Sequence, residues 1–213
     1  MPLLDKNKAL RLIKLLNKTI KNPKTSLKYR NKFTLLTSVV LSAQCTDVNV
    51  NNVTRTIYNK YYTPKHFVDL GINKIRNLIR SIGLFNNKAK NLYYLSKILL
   101  EKYQSKIPNE FEELILLPGV GRKTANVVLN AAFNKPTIAV DTHVFRVGNR
   151  TGLSNGKNPE QVENQLLKIL PQTHIKKAHH LILLHGRYIC KSRTPLCKKC
   201  AINKICLYEK KNE

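Results

Sequence analysis

Acidic residues are scarce in this sequence. Only 12 Asp and Glu stand against 38 Lys and Arg, a formal net charge of +26 over 213 residues with a pI near 10.1. Such a chain is directed to polyanions, and phosphate backbones, anionic membranes and acidic proteins all qualify on charge alone. Long apolar runs are missing as well. No uninterrupted stretch approaches the roughly 20 residues that span a bilayer, and 42% hydrophobic content with mean hydropathy −0.31 suits a soluble globule, so no membrane partner is expected. The opening Met1 to Leu10 is broken by charge every few residues and has neither a signal peptide's apolar core nor a transit peptide's Arg and Ser bias, which points to the cytoplasm. Aromatic residues make up only 7%, too few for the stacking platform expected of an RNA-binding surface. Low-complexity tracts and a fixed repeat period are also lacking.

The periodicity that is present is helical. Leu10, Ile13, Leu16 and Ile20 form one stripe, and the stretch from Ala89 to Leu100 repeats apolar residues at similar spacing. Asn22-Pro23 stops the first helix, while Thr46-Asp47, Asn158-Pro159 and Asn109 with Glu112 three residues on read as helix starts. About ten short helices follow from these signals. The only strand-like run, Pro136 to Val140, is too short and solitary to found a sheet, so the fold class is all-α.

Two segments carry chemistry. Leu117-Pro-Gly-Val-Gly-Arg-Lys-Thr-Ala125 lies between an apolar helix starting at Phe111 and another running to Phe133, the pattern of a helix-hairpin-helix. Gly119 and Gly121 let the backbone turn tightly and approach a ligand, and the next helix presents amide N–H groups at its positive end, where a DNA phosphate fits. A tight turn between two core helices would use glycine in the same way. The second segment is Cys190-x6-Cys197-x2-Cys200-x5-Cys206. Four cysteines within seventeen residues suit ligation of one centre better than a disulfide framework, which would spread its bridges through the chain. Tetrahedral zinc and a cluster of four irons and four sulfides both remain open; a single short Cys-x2-Cys pair with longer outer arms favours iron–sulfur. Lys191, Arg193, Lys198 and Lys199 lie between the ligands, so folding the loop around an anionic centre would display several cations together.

Together with Val140-Asp-Thr-His143, Leu41-Ser-Ala-Gln-Cys-Thr-Asp47, Ile82-Gly-Leu-Phe-Asn86 and His185-Gly-Arg-Tyr188, these motifs make the chain resemble the endonuclease III family of helix-hairpin-helix DNA glycosylases over nearly its whole length. The resemblance implies two helical domains flanking a DNA-binding cleft, here residues 25–135 against 1–24 with 136–213, and one 4Fe–4S cluster on Cys190, Cys197, Cys200 and Cys206. It implies a monomer that excises damaged bases, oxidised pyrimidines by family expectation, from double-stranded DNA and then cleaves the abasic site. Lys123 becomes the nucleophile and Asp141 its catalytic partner. A primary amine can displace the base at the sugar C1′ and then, as a Schiff base, permit β-elimination of the 3′ phosphate; water could do only the first. Asp141 could stabilise the cationic sugar, although a helix N-cap before Thr142 explains it as well. Gly119, Val120, Gly121 and Arg122 would hold the DNA backbone, Gln44 would fill the gap left by a flipped nucleotide, and Leu84 would wedge between bases on the opposite strand. Cys45 reads as a buried inert thiol, and His179, His180 and His185 receive no role. A monofunctional adenine-mismatch glycosylase, which lacks the lysine, and a non-catalytic DNA-binding module are the rival readings.

Overall fold

The structure, a computed structural model, describes residues 2–211; Met1, Asn212 and Glu213, which the expected 1–24 and 136–213 segments include, lie outside the described residues. Among the described residues there are ten α-helices, one short 3-10 turn and no strand. The chain divides into two compact units, Ser26–Phe133 and the discontinuous Met1–Thr25 with Asn134–Glu213.

The Ser26–Phe133 unit holds α2 (Lys32–Leu41), α3 (Asp47–Lys60), α4 (Pro64–Leu78), α5 (Phe85–Tyr103), α6 (Phe111–Leu114) and α7 (Arg122–Phe133). Every residue of α2 from Phe33 to Leu41 is buried, as a helix apolar all round must be, and α3, α5 and α7 pack on it. A capping box between Asn31 and Thr34 starts it. The hydroxyls of Thr37 and Ser38, buried on the same helix, each meet the Tyr58 hydroxyl at 2.8 Å, and burial pushes that phenol up to about 12. Helix α4 breaks at Gly71, whose φ of 69° and ψ of 164° only glycine adopts readily.

The other unit holds α1 (Lys6–Thr19), α8 (Thr142–Thr151), α9 (Pro159–Ile169), α10 (Gln172–Tyr188) and the 3-10 turn Cys197–Lys199. Helices α1 and α8 pack against α10, and α9 against α8. Close approach of α8 and α10 depends on Gly186, where a Cβ would lie 2.9 Å from the His143 Cβ. The strand-like Ile138-Ala139-Val140 is a buried extended connector in this core, its apolar residues serving packing rather than a sheet.

Several expected boundaries shift. The buried face of α1 is Ala9, Leu12, Ile13 and Leu16, leaving Leu10 and Ile20 half-buried, because the helix turns its face by about one residue towards its packing partners. Asn109 does not cap α6; Glu110 occupies the N-cap, its side chain not accepting from the helix's first amides, and the helix is one turn long. Thr46 and Asn158 cap α3 and α9 as their side chains predict.

His180 lies buried on α10, and burial first, with Lys176 second, pushes its imidazole down to about 4. The folded state therefore holds it neutral. Protonation opposes folding once the pH falls below the unfolded value near 6.5, and the contribution is lost progressively towards pH 4. Urea midpoints at pH 7 and pH 5 should differ in that direction, with this group accounting for at most about 2 kcal/mol. His180→Gln should remove that share; an unchanged pH dependence in the variant would place the effect elsewhere.

Candidate DNA-contacting and metal-ligating elements

The hairpin of the Ser26–Phe133 unit is built by alternating anchored and presented residues. Leu117 and Val120 are buried in the core, and the Val120 amide donates to the Leu117 carbonyl at 3.0 Å, closing the turn. The two glycines have different reasons. Gly119 has φ of 79°, and a Cβ there would meet Asn91 Nδ2 at 2.8 Å, so the protein's own turn and packing require it. A Cβ on Gly121 would meet nothing within 4 Å. The space beside Gly121 faces outward, at the point where α7 begins: its carbonyl accepts the first helical bond, from the Ala125 amide at 3.0 Å. The opening amides of α7 have no carbonyl within the helix to meet, which makes this end suited to an anion. Arg122 and Lys123 are exposed there, and the Arg122 guanidinium stands 5.3 Å over the Phe111 ring, tying α6 to α7.

Two more presented residues sit at helix ends of the same unit. Gln44 does not ride on α2, which ends at Leu41; it stands just beyond, exposed, at φ of 53°. Leu84 is 55% exposed at φ of 60° and forms the N-cap of α5 without a side-chain bond. Non-glycine residues in this left-handed region carry strain of about 1 kcal/mol or more. Cys45 is half-buried rather than buried, and its sulfur accepts from Asn49 Nδ2 at 3.3 Å.

In the other unit Asp141 caps α8. Its Oδ1 accepts from the amides of His143 at 2.9 Å and Val144 at 2.8 Å. Both cap bonds land on one oxygen, so capping does not use Oδ2, and a second role for the carboxylate is chemically compatible with the first. The structure places Lys123 in one unit and Asp141 in the other.

The four cysteines carry free thiols and line one cavity, together with His185 and Tyr208. Among the described residues no group of three or more His, Cys, Asp or Glu is drawn close enough to grip a single metal ion. Four thiols lining a common cavity are a donor set that an iron–sulfur cluster or a zinc ion could use. Burial raises the thiol pKa of Cys200 and Cys206, and the neighbouring cysteines raise both further; a cationic iron centre would reverse that penalty by pairing with the thiolates. Lys191, Arg193, Lys198 and Lys199 are all exposed around the cavity's loop.

The structure adds residues that the sequence reading passed over. Arg150 donates to the carbonyls of Lys191 and Ser192, each at 2.7 Å, approaches the Cys190 sulfur at 3.7 Å and stacks 4.5 Å over Tyr208. Arg146, one turn earlier on α8, donates to the carbonyls of Cys190 at 3.0 Å and Gly186 at 2.8 Å. His185 Nε2 lies 3.7 Å from the Cys200 sulfur, and burial pushes this imidazole down to about 4, leaving it neutral. The spacing of four between Arg146 and Arg150 puts both on one helix face, a signal legible in the sequence once α8 is drawn.

Residues 37–172 match the family described as HhH-GPD superfamily base excision DNA repair protein. The chain is 54% identical over 198 residues to endonuclease III of Rickettsia conorii, covering 93% of this chain and 94% of that protein. It is 47% identical over 208 residues to endonuclease III of Escherichia coli K12, covering 98% and 99%. Among solved structures, a trapped endonuclease III–DNA covalent intermediate superposes with a TM-score of 0.90 at 42% identity, over 96% of each chain. A thermostable thymine-DNA glycosylase superposes with a TM-score of 0.83 at 25% identity, over 96% of this chain and 97% of that one.

The contrast between the hairpin glycines is measurable. Gly119→Ala should lower stability by about 1–3 kcal/mol, since it strains a positive φ and crowds Asn91. Gly121→Ala should stay within about 0.5 kcal/mol of the parent in urea unfolding, having room for its methyl group. Equal losses at the two positions would mean that both glycines serve the fold.

Proposed function

The chain belongs to the HhH-GPD superfamily of base excision DNA repair proteins, and from that premise we propose a bifunctional enzyme: a DNA glycosylase with abasic-site lyase activity that removes oxidised pyrimidines from duplex DNA. The observation that carries the reading is the exposed Lys123 in the first turn of α7, two residues after a glycine whose outer side is open to an approaching backbone. The hairpin amides hold a phosphate while the Lys123 Nζ, unprotonated, attacks the sugar C1′; the C1′–N bond breaks and the base leaves with its electron pair. Asp141 stabilises the positive charge on the sugar as that bond breaks. Loss of a proton from Nζ and opening of the C1′–O4′ bond, whose electron pair goes to a protonated O4′, give the C1′=Nζ imine; this accepts electrons as a general base removes the C2′ proton, and the 3′ phosphate leaves with the electron pair of its C3′–O bond. Gln44 fills the gap left by the extruded nucleotide and Leu84 wedges the opposite strand, roles suited to exposed side chains presented from strained turns. The protein acts as a monomer in the cytoplasm, on the nucleoid; among the described residues no helix is long and apolar enough to cross a membrane.

Cys190, Cys197, Cys200 and Cys206 hold one 4Fe–4S cluster in this reading, supported by the common cavity and the four free thiols. When bound, the cluster supplies the covalent bonds that close the loop. Arg150 anchors that loop through the Lys191 and Ser192 carbonyls, and the exposed Lys191, Arg193, Lys198 and Lys199 then meet phosphates. The purified protein should be yellow-brown with iron and acid-labile sulfide each near four per chain, and Cys197→Ser should destabilise the C-terminal unit. One zinc per chain without sulfide would overturn the assignment.

The chemistry is tested by reduction of the imine. Borohydride added to the enzyme with duplex DNA bearing an oxidised pyrimidine or an abasic site should yield a stable adduct mapping to Lys123. Lys123→Gln should abolish trapping and strand cleavage while DNA binding persists. Asp141→Asn should cut base release strongly, by about a hundredfold, yet still nick a preformed abasic site to some extent. Base excision without any trappable adduct would favour the monofunctional alternative.

A further inference from the structure

Lys88 is a buried cation outside the chemistry. Its residue is 4% exposed, yet its ammonium donates to the carbonyls of Leu41 at 2.9 Å and Ala43 at 2.6 Å. A buried ammonium is costly to retain, and burial pulls its pKa down from the usual lysine value. Neither partner is an acid, so the cation is held by carbonyl dipoles at the negative end of α2.

The positions of those carbonyls matter. The Ala43 carbonyl belongs to the peptide that leads into Gln44, so gripping it fixes the plane from which the left-handed Gln44 departs. At its other end, Lys88 closes the first turn of α5: its amide donates to the Leu84 carbonyl at 3.0 Å. One residue thus holds the backbone on both sides of the pair Gln44 and Leu84. A second tie runs in parallel, since Asn49 Nδ2 donates to the Ser81 carbonyl at 3.2 Å and to the Cys45 sulfur at 3.3 Å. The two turns come close enough that a Cβ on Gly83 would lie 3.8 Å from the Gln44 carbonyl oxygen. A helix C-cap alone would need no buried charge, because solvent or a glycine can satisfy those carbonyls.

We propose that Lys88 is a positioning residue that locks the Gln44 and Leu84 turns to each other, so that the filling and wedging side chains enter the duplex as one preformed unit during nucleotide extrusion. The proposal rests on the reading of Gln44 and Leu84 as the duplex-probing pair. Lys88 touches neither substrate nor reacting atoms in this account. Its loss should weaken the extrusion step and leave the imine chemistry intact.

The test compares two substrates in single-turnover excision: a fully paired duplex carrying 5-hydroxycytosine, and the same lesion inside a three-nucleotide bubble where extrusion costs little. Lys88→Met keeps the aliphatic stem and removes the ammonium; if it does not fold, as judged by circular dichroism and urea midpoint, Lys88→Gln is measured in its place. Excision from the paired duplex should fall about tenfold or more, while the bubble substrate should be processed within about threefold of the parent rate. In a Gln44→Ala, Leu84→Ala background the Lys88 substitution should cost less than about twofold, since coupled residues are not additive. Equal losses on both substrates, no loss on the duplex, or an undiminished loss in the double-variant background would overturn the proposal. If Gln44→Ala with Leu84→Ala excises from the paired duplex at the parent rate, the probing role itself fails, and that arm identifies it as the cause.

Discussion

An α-helix leaves its first amides and last carbonyls without partners, and in a fold made only of helices those groups have no sheet to receive them. The placement of the candidate site residues follows from that constraint. Lys123 lies in the first turn of α7, Asp141 caps α8, Leu84 caps α5, Gln44 follows the end of α2, and Cys190 follows the end of α10. Each end solves its own hydrogen-bonding problem and presents a side chain in doing so. Where the protein supplies the partner, as Asp141 Oδ1 does for two amides, the end is structurally closed. Where it supplies none of its own bulk, as beside Gly121, the end is suited to a phosphate.

Charge is distributed by the same logic. The exposed pairs Lys8–Asp5, Lys65–Asp69 and Lys97–Glu101 lie on helix surfaces, where such pairs contribute between nothing and about 1 kcal/mol each. The arginines that organise the structure use carbonyls instead. Arg146 and Arg150, both half-buried, reach from α8 to the backbone of residues 186, 190, 191 and 192, because a chain with so few acids must satisfy such cations with carbonyl dipoles. That choice leaves the net positive charge undiminished and available to an external polyanion.

Much of this was legible in the sequence, for reasons that differ by element. Thr46 and Asn158 announced their helices because a cap is a local interaction between a side chain and amides two or three residues on. The cysteine spacing and the Leu117–Ala125 motif were equally local. What escaped were contacts set by tertiary packing. Asn109 has the right spacing for a capping box, yet the chain enters α6 one residue later. Gln44 follows the apolar run Phe33 to Leu41 with no Gly or Pro between to announce a stop, yet α2 ends at Leu41 and the chain turns left-handed at Gln44. Arg150 and His185 gained meaning only once the cysteine loop folded back over α8 and α10. The division of the chain into domains came from the resemblance, since composition does not change along the chain.

Lys88 and Lys123 show why residue type alone could not have sorted these roles. Both are lysines near the start of a helix, α5 and α7, in a chain with 38 basic residues. Their environments give them different chemistry. Lys88 is buried with its donors committed to two carbonyls, and an amine so enclosed cannot reach a sugar carbon. Lys123 is exposed beside a turn kept open by Gly121, where its side chain is accessible to a ligand from outside. Exchanging those environments would disable both: a solvated Lys88 would leave the Leu41 and Ala43 carbonyls unpaired, and a buried Lys123 could meet no DNA. Burial therefore separates the lysine that holds the turns at Gln44 and Leu84 from the one proposed as the nucleophile.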